Sequence, residues 1–446
     1  MENHSQFTRR SLLKLLGTTA ASAPFVTSNL MAQSPVKKVR HACFGAGGQA
    51  WADLTQISNC KNVEIVAVCD VDLSRTTEVR KKLPNAKIYQ DWRELFDKEG
   101  ENIDSVNVST PDHMHAAIGV TAMQLGKHVY GEKPLAHDLH EVRRMTEVAV
   151  TNKVVTQMGI QIHSTAYYQI AAKVMRDGVI GKVKEIHSWS ATYWGDTSPK
   201  PDKTDAVPEG FDWNLWLGVC ADRPFISGNY YHPGSWRKRL DFGTGTLGDM
   251  GCHIFDPLYM GLGLGAPISV RSEGPAPNPW NWALDGKVIY QFKGTPLTQG
   301  ETFNITWYDG DARPPAEIIA QTGKYALKFP QSGSILIGTE GVMIVPHQQL
   351  PELFPAEKFK GYQLPRVKGV NHWGQFIDAC RGEDKTTADF AYAGPLTEAI
   401  LIGGIASRFQ NTTLKWNSPE LKFDLPAANA FVRRDYREGW KIPGLG

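Results

Sequence analysis

The segment Val39–Ala50 decides the fold; its sequence is VRHACFGAGGQA, an apolar run that leads directly into a glycine-rich turn. The last six residues fit the pattern G-x-G-x-x-A. Between a strand and a helix, the first glycine permits a tight turn and the second lets the backbone approach a pyrophosphate. The helix N-terminus then offers free N–H groups to the phosphates. The motif predicts a dinucleotide site, although a purely structural glycine turn has the same pattern; the residues concerned are Gly45, Gly47, Gly48, Gln49 and Ala50.

Downstream of this turn, short apolar runs alternate with helix-like segments. Val63–Cys69, Ile103–Val108 and the stretch from His128 are strand-like, whereas Ser74–Leu83 and His115–Leu125 are helix-like. This alternation is typical of βαβ units around a parallel sheet. We therefore predict an α/β fold with a doubly wound Rossmann domain over residues 36–160.

After residue 161 the strand-like runs change character. Val183–Tyr193, Lys287–Phe292 and Glu301–Tyr308 alternate apolar and polar side chains, as antiparallel strands with one solvated face do. Long connections rich in Pro, Gly and Trp, such as 197–234, favour loops that shape a site. These features predict a second domain over residues 161–446.

Asp70 ends the second strand-like run, where an acidic side chain can accept hydrogen bonds from the adenosine ribose hydroxyls. Its charge would repel a 2′-phosphate, which favours NAD over NADP. Arg75 keeps NADP open, because a guanidinium there could bind that phosphate. We interpret Asp72 as an ordinary turn residue.

Two motifs follow the next strands of the predicted parallel sheet. The loop 109–115, STPDHMH, comes after the third strand, where ligands bind in such sheets. Its H-x-H pair, His113 and His115, also occurs in zinc hydrolases, but no other cluster has the spacing to complete a metal site. Glu132-Lys133-Pro134 follows the fourth strand, and a plain surface turn is its alternative interpretation.

Asp249 and His253 lie four residues apart in an apparent helix, so they share one helical face. A neighbouring carboxylate can raise the pKa of an imidazole toward working pH, as a general base requires. A structural histidine is the alternative.

Composition and charge narrow the possible partners. The 446 residues, 41% hydrophobic and 21% charged, suit two or three domains. Residues 1–32 supply the whole formal net charge of +2, and a neutral remainder argues against nucleic acid and anionic membranes as partners. The six cysteines lack C-x-x-C spacing, and Cys43 and Cys69 are expected in the core.

Residues 1–32 have the features of an export signal. The run TRRSLLK at 8–14 resembles the twin-arginine motif, and Leu15–Val26 is modestly apolar but too short to span a bilayer. We expect export to the periplasm by the twin-arginine machinery. A basic N-terminal arm is the alternative.

Taken together and in order, the glycine turn, Asp70, the TPDHMH loop, Glu132-Lys133-Pro134 and the Asp-x-x-x-His helix resemble the Gfo/Idh/MocA family of sugar and polyol oxidoreductases. The resemblance runs from Lys37 to Trp440. It implies a Rossmann domain, a C-terminal α/β domain with a large, mostly antiparallel sheet, and an active site between them. It also implies pairing of open sheet faces into a homo-oligomer.

The resemblance further implies roles for individual residues. Lys133 would position the reacting hydroxyl, His253 would be the general acid/base, and Asp249 would orient His253 or hold a substrate hydroxyl. Hydride would pass between a substrate carbon and the nicotinamide. Bordering the cofactor would be Thr110, Pro111, His113, Glu132 and Gln161. A polar-aromatic loop before the helix offers candidate sugar contacts: Tyr231, His232, Trp236 and Arg237.

Three other functions remain open at this stage. One is a glycosidase or lyase that uses bound NAD without net redox change, and another is a non-catalytic binding protein on the same scaffold. The third is a metal hydrolase using His113 and His115. Because free nicotinamide cofactors are expected to be scarce outside the cytoplasm, we further hypothesise export of a protein already loaded with its cofactor.

Overall fold

The computed structural model describes residues 37–446, so the predicted export signal lies outside the described residues. The first sheet has six strands in the order β3-β2-β1-β4-β5-β6, and every neighbouring pair is parallel. This confirms the predicted Rossmann sheet. Its strands are β1 Val39–Phe44, β2 Val63–Cys69, β3 Lys87–Tyr89, β4 Ser105–Val108, β5 His128–Glu132 and β6 Thr156–Gly159.

The strand order reverses at β1, whose two neighbours β2 and β4 lie on opposite sides. In sheets of this kind, ligands bind in the crevice beyond the carboxyl ends of the strands at that reversal. The glycine turn follows β1 and so opens onto this crevice. The helices of this half are α1 Gln49–Ser58, α2 Thr77–Lys82, α3 Trp92–Glu99, α4 His115–Gln124 and α5 Leu139–Asn152.

The second sheet has nine strands in the order β13-β12-β11-β7-β10-β9-β8-β14-β15. β7 and β10 run parallel and the other paired neighbours run antiparallel, which confirms a mostly antiparallel sheet. Its strands are β7 Val183–Ser190, β8 Ser269–Ser272, β9 Lys287–Lys293, β10 Thr302–Asp309, β11 Ser332–Gly338, β12 Val342–Pro346, β13 Glu352–Phe354, β14 Thr413–Asn417 and β15 Lys422–Phe423.

Long helices join the two sheets. The helices of this half are α6 Ala166–Arg176, α7 Trp213–Leu217, α8 Gly245–Leu262, α9 Ala316–Ile319, α10 His372–Cys380 and α11 Phe390–Ala406. α8 packs against both α6 and α11, and α11 also packs against α5 of the first half. One continuous apolar core therefore runs from the parallel sheet into the antiparallel sheet.

Two local features refine the sequence predictions. α11 begins at Phe390, where the Asp389 carboxylate caps it by accepting the Tyr392 N–H, and Pro395 lies inside the helix. All six cysteines are free, and Cys43 and Cys69 are buried as expected. Within residues 37–446, no helix combines the length and apolar character needed to cross a bilayer.

Candidate active site

The glycine turn has the backbone that its sequence requires. Gly45 has φ +103°, and a Cβ there would lie 2.7 Å from the carbonyl oxygen of Ser109. Gly48, with φ 60°, is the N-cap of α1, and no side chain caps the first N–H groups of that helix. The turn thus leaves uncapped backbone donors at the positive end of a helix, which suits an anionic ligand.

Asp70 stands beside this turn at the end of β2. Its carboxylate accepts the Ala46 N–H at 2.8 Å and the Asp72 N–H at 2.9 Å. Burial raises its pKa to about 6. The Arg75 Nε atom lies 3.9 Å from Asp70 Oδ2, and a Cβ on Gly47 would come within 2.2 Å of the same Nε. A carboxylate and a guanidinium therefore lie side by side next to the glycine turn.

A cleft of about 1000 Å³ runs along these residues. It holds all the predicted cofactor residues except His113 and Gln161. His113 is fully buried between Trp216 and Phe242, away from the cleft. Gln161 lies behind Glu132 and donates to its Oε1 at 2.6 Å. The predicted residues that line the cleft are Gly45, Gly47, Gly48, Gln49, Ala50, Asp70, Thr110, Pro111, Glu132 and Lys133.

Imidazole nitrogens of the H-x-H pair lie against backbone carbonyl oxygens. His113 Nε2 lies 2.9 Å from the Trp216 oxygen. Both ring nitrogens of His115 lie 2.8 Å from carbonyl oxygens, those of Pro134 and Thr110. Within residues 37–446, no group of three or more His, Cys, Asp or Glu side chains is placed to hold a metal ion. The two imidazoles thus fix the loop, and the fourth ring nitrogen, His113 Nδ1, is buried with no hydrogen-bond partner among residues 37–446.

A buried pair of carboxyl groups lies beneath the cleft. Asp53, on α1, accepts hydrogen bonds from Ser109 at 2.8 Å and Trp373 at 3.1 Å. It also hydrogen-bonds Glu132, and burial raises the pKa of both groups. The Asp53 charge raises the pKa of Glu132 further, an arrangement for which the sequence gives no signal.

Lys133 connects the end of β5 to helix α8. Its Nζ donates to Asp249 Oδ1 at 2.6 Å and to the Asp249 carbonyl oxygen at 2.9 Å. Burial acts to lower the pKa of Lys133, but the carboxylates of Asp249 and Glu132 outweigh it and leave that pKa above its ordinary value. Lys133 is thus an ammonium ion at the inner end of the cleft.

Asp249 accepts more donors than Lys133 alone. Arg237 Nε donates to Oδ1 at 3.1 Å, and Trp194 Nε1 donates to Oδ2 at 2.8 Å. Although burial acts to raise the Asp249 pKa, Lys133 and Arg237 hold it well below its usual range. A carboxylate so fully engaged holds Lys133 in place, and the structure shows no hydrogen bond between it and His253 within the described residues.

The pKa of His253 is not raised by Asp249, contrary to the expectation from their spacing. Burial, followed by the Lys133 charge, holds its pKa well below 6.5, and the opposing effect of Asp249 is too small to raise it. Its ring is therefore neutral, and its buried Nδ1 has no hydrogen-bond partner among the residues that the structure describes. The ring lies 5.7 Å from that of His347, whose Nδ1 is 2.7 Å from the Tyr168 hydroxyl. Sequence analysis missed Trp194 and His347, because neither belongs to a recognisable motif.

The predicted substrate loop divides into three parts. Tyr231 is buried among aromatic rings, away from the cleft. His232 Nε2 lies 2.9 Å from Asp72 Oδ2, at the Asp70 end of the cleft. Trp236 and Arg237 line the cleft, and Arg237 stacks between Trp194 and Trp236 before reaching Asp249.

Residues 210–233 form a strap over the outer end of the cleft. The Gly210 oxygen accepts the Leu73 N–H at 2.9 Å, and the Asp212 N–H donates to Val71 at 2.9 Å. The other end is held by the contact between His232 and Asp72. Both ends of the strap are therefore tied to the turn after β2. The strap lines the cleft with Leu215, Trp216, His232 and Pro233.

Similarity to known proteins matches this architecture. Residues 39–160 fit a model of the GFO_IDH_MocA oxidoreductase family, described as an NAD-binding Rossmann fold. Residues 172–295 fit the family's C-terminal alpha/beta domain. Among solved structures, WlbA dehydrogenase from Bordetella pertussis, in complex with NADH and UDP-GlcNAcA, has a TM-score of 0.59 at 16% identity, covering 85% of this chain and 99% of that chain.

Two curated relatives match over shorter stretches. Levoglucosan dehydrogenase of Pseudarthrobacter phenanthrenivorans is 29% identical over 167 residues, 37% of this chain and 34% of that protein. Alpha-N-acetylgalactosaminidase of Shewanella oneidensis is 26% identical over 205 residues, 39% of this chain and 44% of that protein. This chain thus spans less than half of the length of either relative. The two family models together cover more than half of it, and the chain belongs to the Gfo/Idh/MocA oxidoreductase family.

Proposed function

We propose that this protein transfers a hydride between NAD and a CH–OH group of a sugar or polyol. The observation that carries the proposal is the Lys133–Asp249 pair at the inner end of a cleft that also holds the glycine turn. A positively charged donor there can bind a substrate hydroxyl and stabilise negative charge that develops on its oxygen. His253, on the same helix as Asp249 and neutral, can accept the hydroxyl proton.

The cleft fits a dinucleotide along its length. The uncapped start of α1 and the glycine turn would hold the pyrophosphate, and Asp70 would accept the adenosine ribose hydroxyls. NAD, when bound, supplies the hydride acceptor or donor. The negative charge of Asp70 supports NAD over NADP, while Arg75 lies close enough to stack on the adenosine or to bind a 2′-phosphate.

In the oxidative direction, proton and hydride leave the substrate separately. Lys133 would orient the hydroxyl, the hydroxyl proton would pass to His253, and the hydride on the same carbon would pass to the nicotinamide. Asp249 would keep Lys133 charged and fixed through its 2.6 Å contact. The reverse order of the same transfers reduces a carbonyl.

The strap supports retention of the cofactor. It covers the outer end of the cleft and is bound at both ends to the turn that carries Asp70. For a protein exported by the twin-arginine route to the periplasm, a slowly released cofactor would let one substrate be oxidised while another is reduced. Native mass spectrometry of protein purified from the periplasm tests both points. A cofactor-free population that is fully active on added NAD would contradict retention.

A redox-neutral glycosidase is the second candidate. The similarity to an alpha-N-acetylgalactosaminidase favours it. Transient oxidation by a retained cofactor would also need Lys133 and His253, so the site alone does not separate the two reactions. Aryl glycosides separate them, because only a glycosidase releases the aglycone without net change in nicotinamide absorbance.

The deciding experiment is a screen of sugars and polyols against the protein as isolated, with nicotinamide fluorescence as the readout. We expect a change in fluorescence with the true substrate, and its loss in Lys133→Met. A non-catalytic scaffold predicts no response to any sugar, and unchanged turnover in Lys133→Met would reject the proposed role of Lys133.

A further inference from the structure

A second cavity, of about 1210 Å³, lies apart from the cleft. Within residues 37–446, the residues that line it and those that line the cleft do not overlap. We name it the arginine cavity because four arginines line it. They come from distant parts of the chain: Arg223, Arg408, Arg433 and Arg434.

Arg408 presents an unpaired guanidinium to this cavity. The group is held between two aromatic rings, 4.5 Å from the centre of Phe431 and 5.3 Å from that of Trp282. Its guanidinium makes no hydrogen bond or ion pair with any described residue, and burial lowers its pKa. Ring stacking fixes the plane of a guanidinium while leaving its edge free to donate, which is the geometry that binds a carboxylate or phosphate.

Arg434 also lines the cavity. Its Nη2 donates to Cys220 Sγ at 2.8 Å and to the Asp241 carbonyl oxygen at 3.2 Å. Its Nε and Nη1 atoms are shielded from solvent and make no hydrogen bond with any described residue. Although burial acts to lower it, the nearby Cys220, Glu141, Tyr436 and Asp138 side chains raise the pKa of Arg434. Arg434 is therefore a charged part of the wall rather than a donor that an occupant can reach.

Within residues 37–446, no acidic residue of the cavity forms an ion pair with Arg408. Asp241 pairs with Arg223, at 2.6 Å. Asp138 accepts the Glu141 N–H at the start of α5 and the backbone N–H of Arg434, and burial raises the pKa of its carboxyl. Asp435 is exposed at the rim.

The remaining wall is apolar. Ile400, Leu401 and Ile405 of α11 line it together with Trp282. Thr244, the N-cap of the long helix α8, also lines the cavity; its hydroxyl donates to Asp112 and, within the described residues, accepts no N–H of the helix. The cavity therefore offers a cationic side and an apolar, partly aromatic side to the same occupant.

We propose that the arginine cavity binds a small organic oxyanion, with its carboxylate or phosphate on Arg408 and its apolar body against Trp282 and α11. Both head groups fit the parallel N–H donors of a guanidinium edge. The site is independent of the proposed redox reaction, because none of its residues lines the cleft.

The test uses NAD-saturated protein at low salt, with titration calorimetry and saturation-transfer NMR. Phenyl phosphate and benzoate present the two head groups on one ring, and benzyl alcohol is the neutral match. We expect one of the anions to bind at submillimolar concentration and at least tenfold more tightly than benzyl alcohol. The preferred anion identifies the head group. Inorganic phosphate binding as tightly as phenyl phosphate would overturn the proposed apolar contact.

Arg408→Gln should weaken anion binding at least tenfold, and Arg408→Lys should weaken it less. Arg271→Gln, which removes an exposed arginine paired with Glu273, is the matched control and should leave binding unchanged. Arg434 is packed beside buried carboxyls, so Arg408 is the safer position to change; thermal melting checks that each variant is folded. Equal binding of all three aromatic probes, or full binding by Arg408→Gln, would overturn the proposal.

Discussion

Lys133 Nζ lies 2.6 Å from Asp249 Oδ1, and this ion pair joins the end of the parallel sheet to helix α8. The two residues are separated by 116 positions in the sequence. The Asp249 carboxylate therefore stabilises the Lys133 ammonium group rather than a protonated His253. The lysine is consequently charged, and the histidine beside it is neutral.

Lys133→Met should abolish most turnover while leaving the cofactor bound. The variant removes the donor to the substrate hydroxyl, and loss of such a group typically costs about 10²–10⁴-fold in rate. Asp249 keeps Arg237 and Trp194 as donors, so the fold should survive. Single-turnover absorbance of the bound nicotinamide measures the rate, and native mass spectrometry measures cofactor content. Loss of the cofactor together with turnover would instead indicate a structural role.

The pH dependence of sugar oxidation should reflect a neutral His253. A base acts when unprotonated, and because burial and Lys133 hold the His253 pKa well below 6.5, activity should persist as pH falls through 6.5. In Lys133→Met the cationic neighbour is gone, so the pKa should rise and the acid limb of the residual activity should move upward. Profiles of kcat/KM from pH 5 to 9 measure both limbs. A wild-type acid limb at or above pH 6.5 would contradict the neutral base.

The fold could be predicted from sequence because its signals are local. The glycine turn at Gly45 and the alternation of strands and helices after it depend on neighbouring residues alone. β3, with three residues, is too short to give a pattern, and α11 contains Pro395, which resembles a helix start.

The site was predictable only where residues follow strand ends. Lys133, Asp70 and Thr110 were found in this way, and all three line the cleft. Their spacing also predicts Asp249 and His253 on one helical face. It could not show that Lys133, which is distant in sequence, forms an ion pair with the Asp249 carboxylate. Trp194 and His347 reach the site from the part of the chain that forms the second sheet, and no local pattern marks them.

Asp70→Asn should weaken the preference for NAD. The change removes the charge that repels a 2′-phosphate, so NADP affinity at pH 8 should rise about tenfold, equivalent to about 1.4 kcal/mol. NAD affinity should fall, because one amide oxygen replaces the two carboxylate oxygens that accept the Ala46 and Asp72 N–H groups. Calorimetry on cofactor-stripped protein measures both.

The wild type offers an internal check on the same residue. Its Asp70 pKa is about 6, so the carboxyl becomes neutral as pH falls below that value and discrimination against NADP should weaken there. Asp104→Asn makes the same chemical change at a residue paired with Arg40, away from the cleft, and should alter neither affinity. A wild-type preference that is constant from pH 8 to 5.5 would argue that Arg75, rather than Asp70, sets cofactor choice.

Breaking the contact between Asp72 and His232 should speed release of the cofactor. This contact closes one end of the strap, and both side chains are largely buried, so solvent screens it only weakly. A hydrogen bond to a charged group contributes about 1.5–3 kcal/mol, which predicts that Asp72→Asn raises the exchange rate about tenfold or more. His232→Ala should have a similar effect, and the double variant should add little, because each change removes the same contact.

Exchange of bound cofactor against isotope-labelled NAD, followed by native mass spectrometry, measures the rate. Asp205→Asn is the matched control, since this half-buried residue pairs with Lys203 and accepts the N–H of Ser227 within the strap, without touching the strap's anchors. Equal acceleration in that control would show a general loosening of the loop, and an unchanged rate in Asp72→Asn would show that the strap does not hold the cofactor.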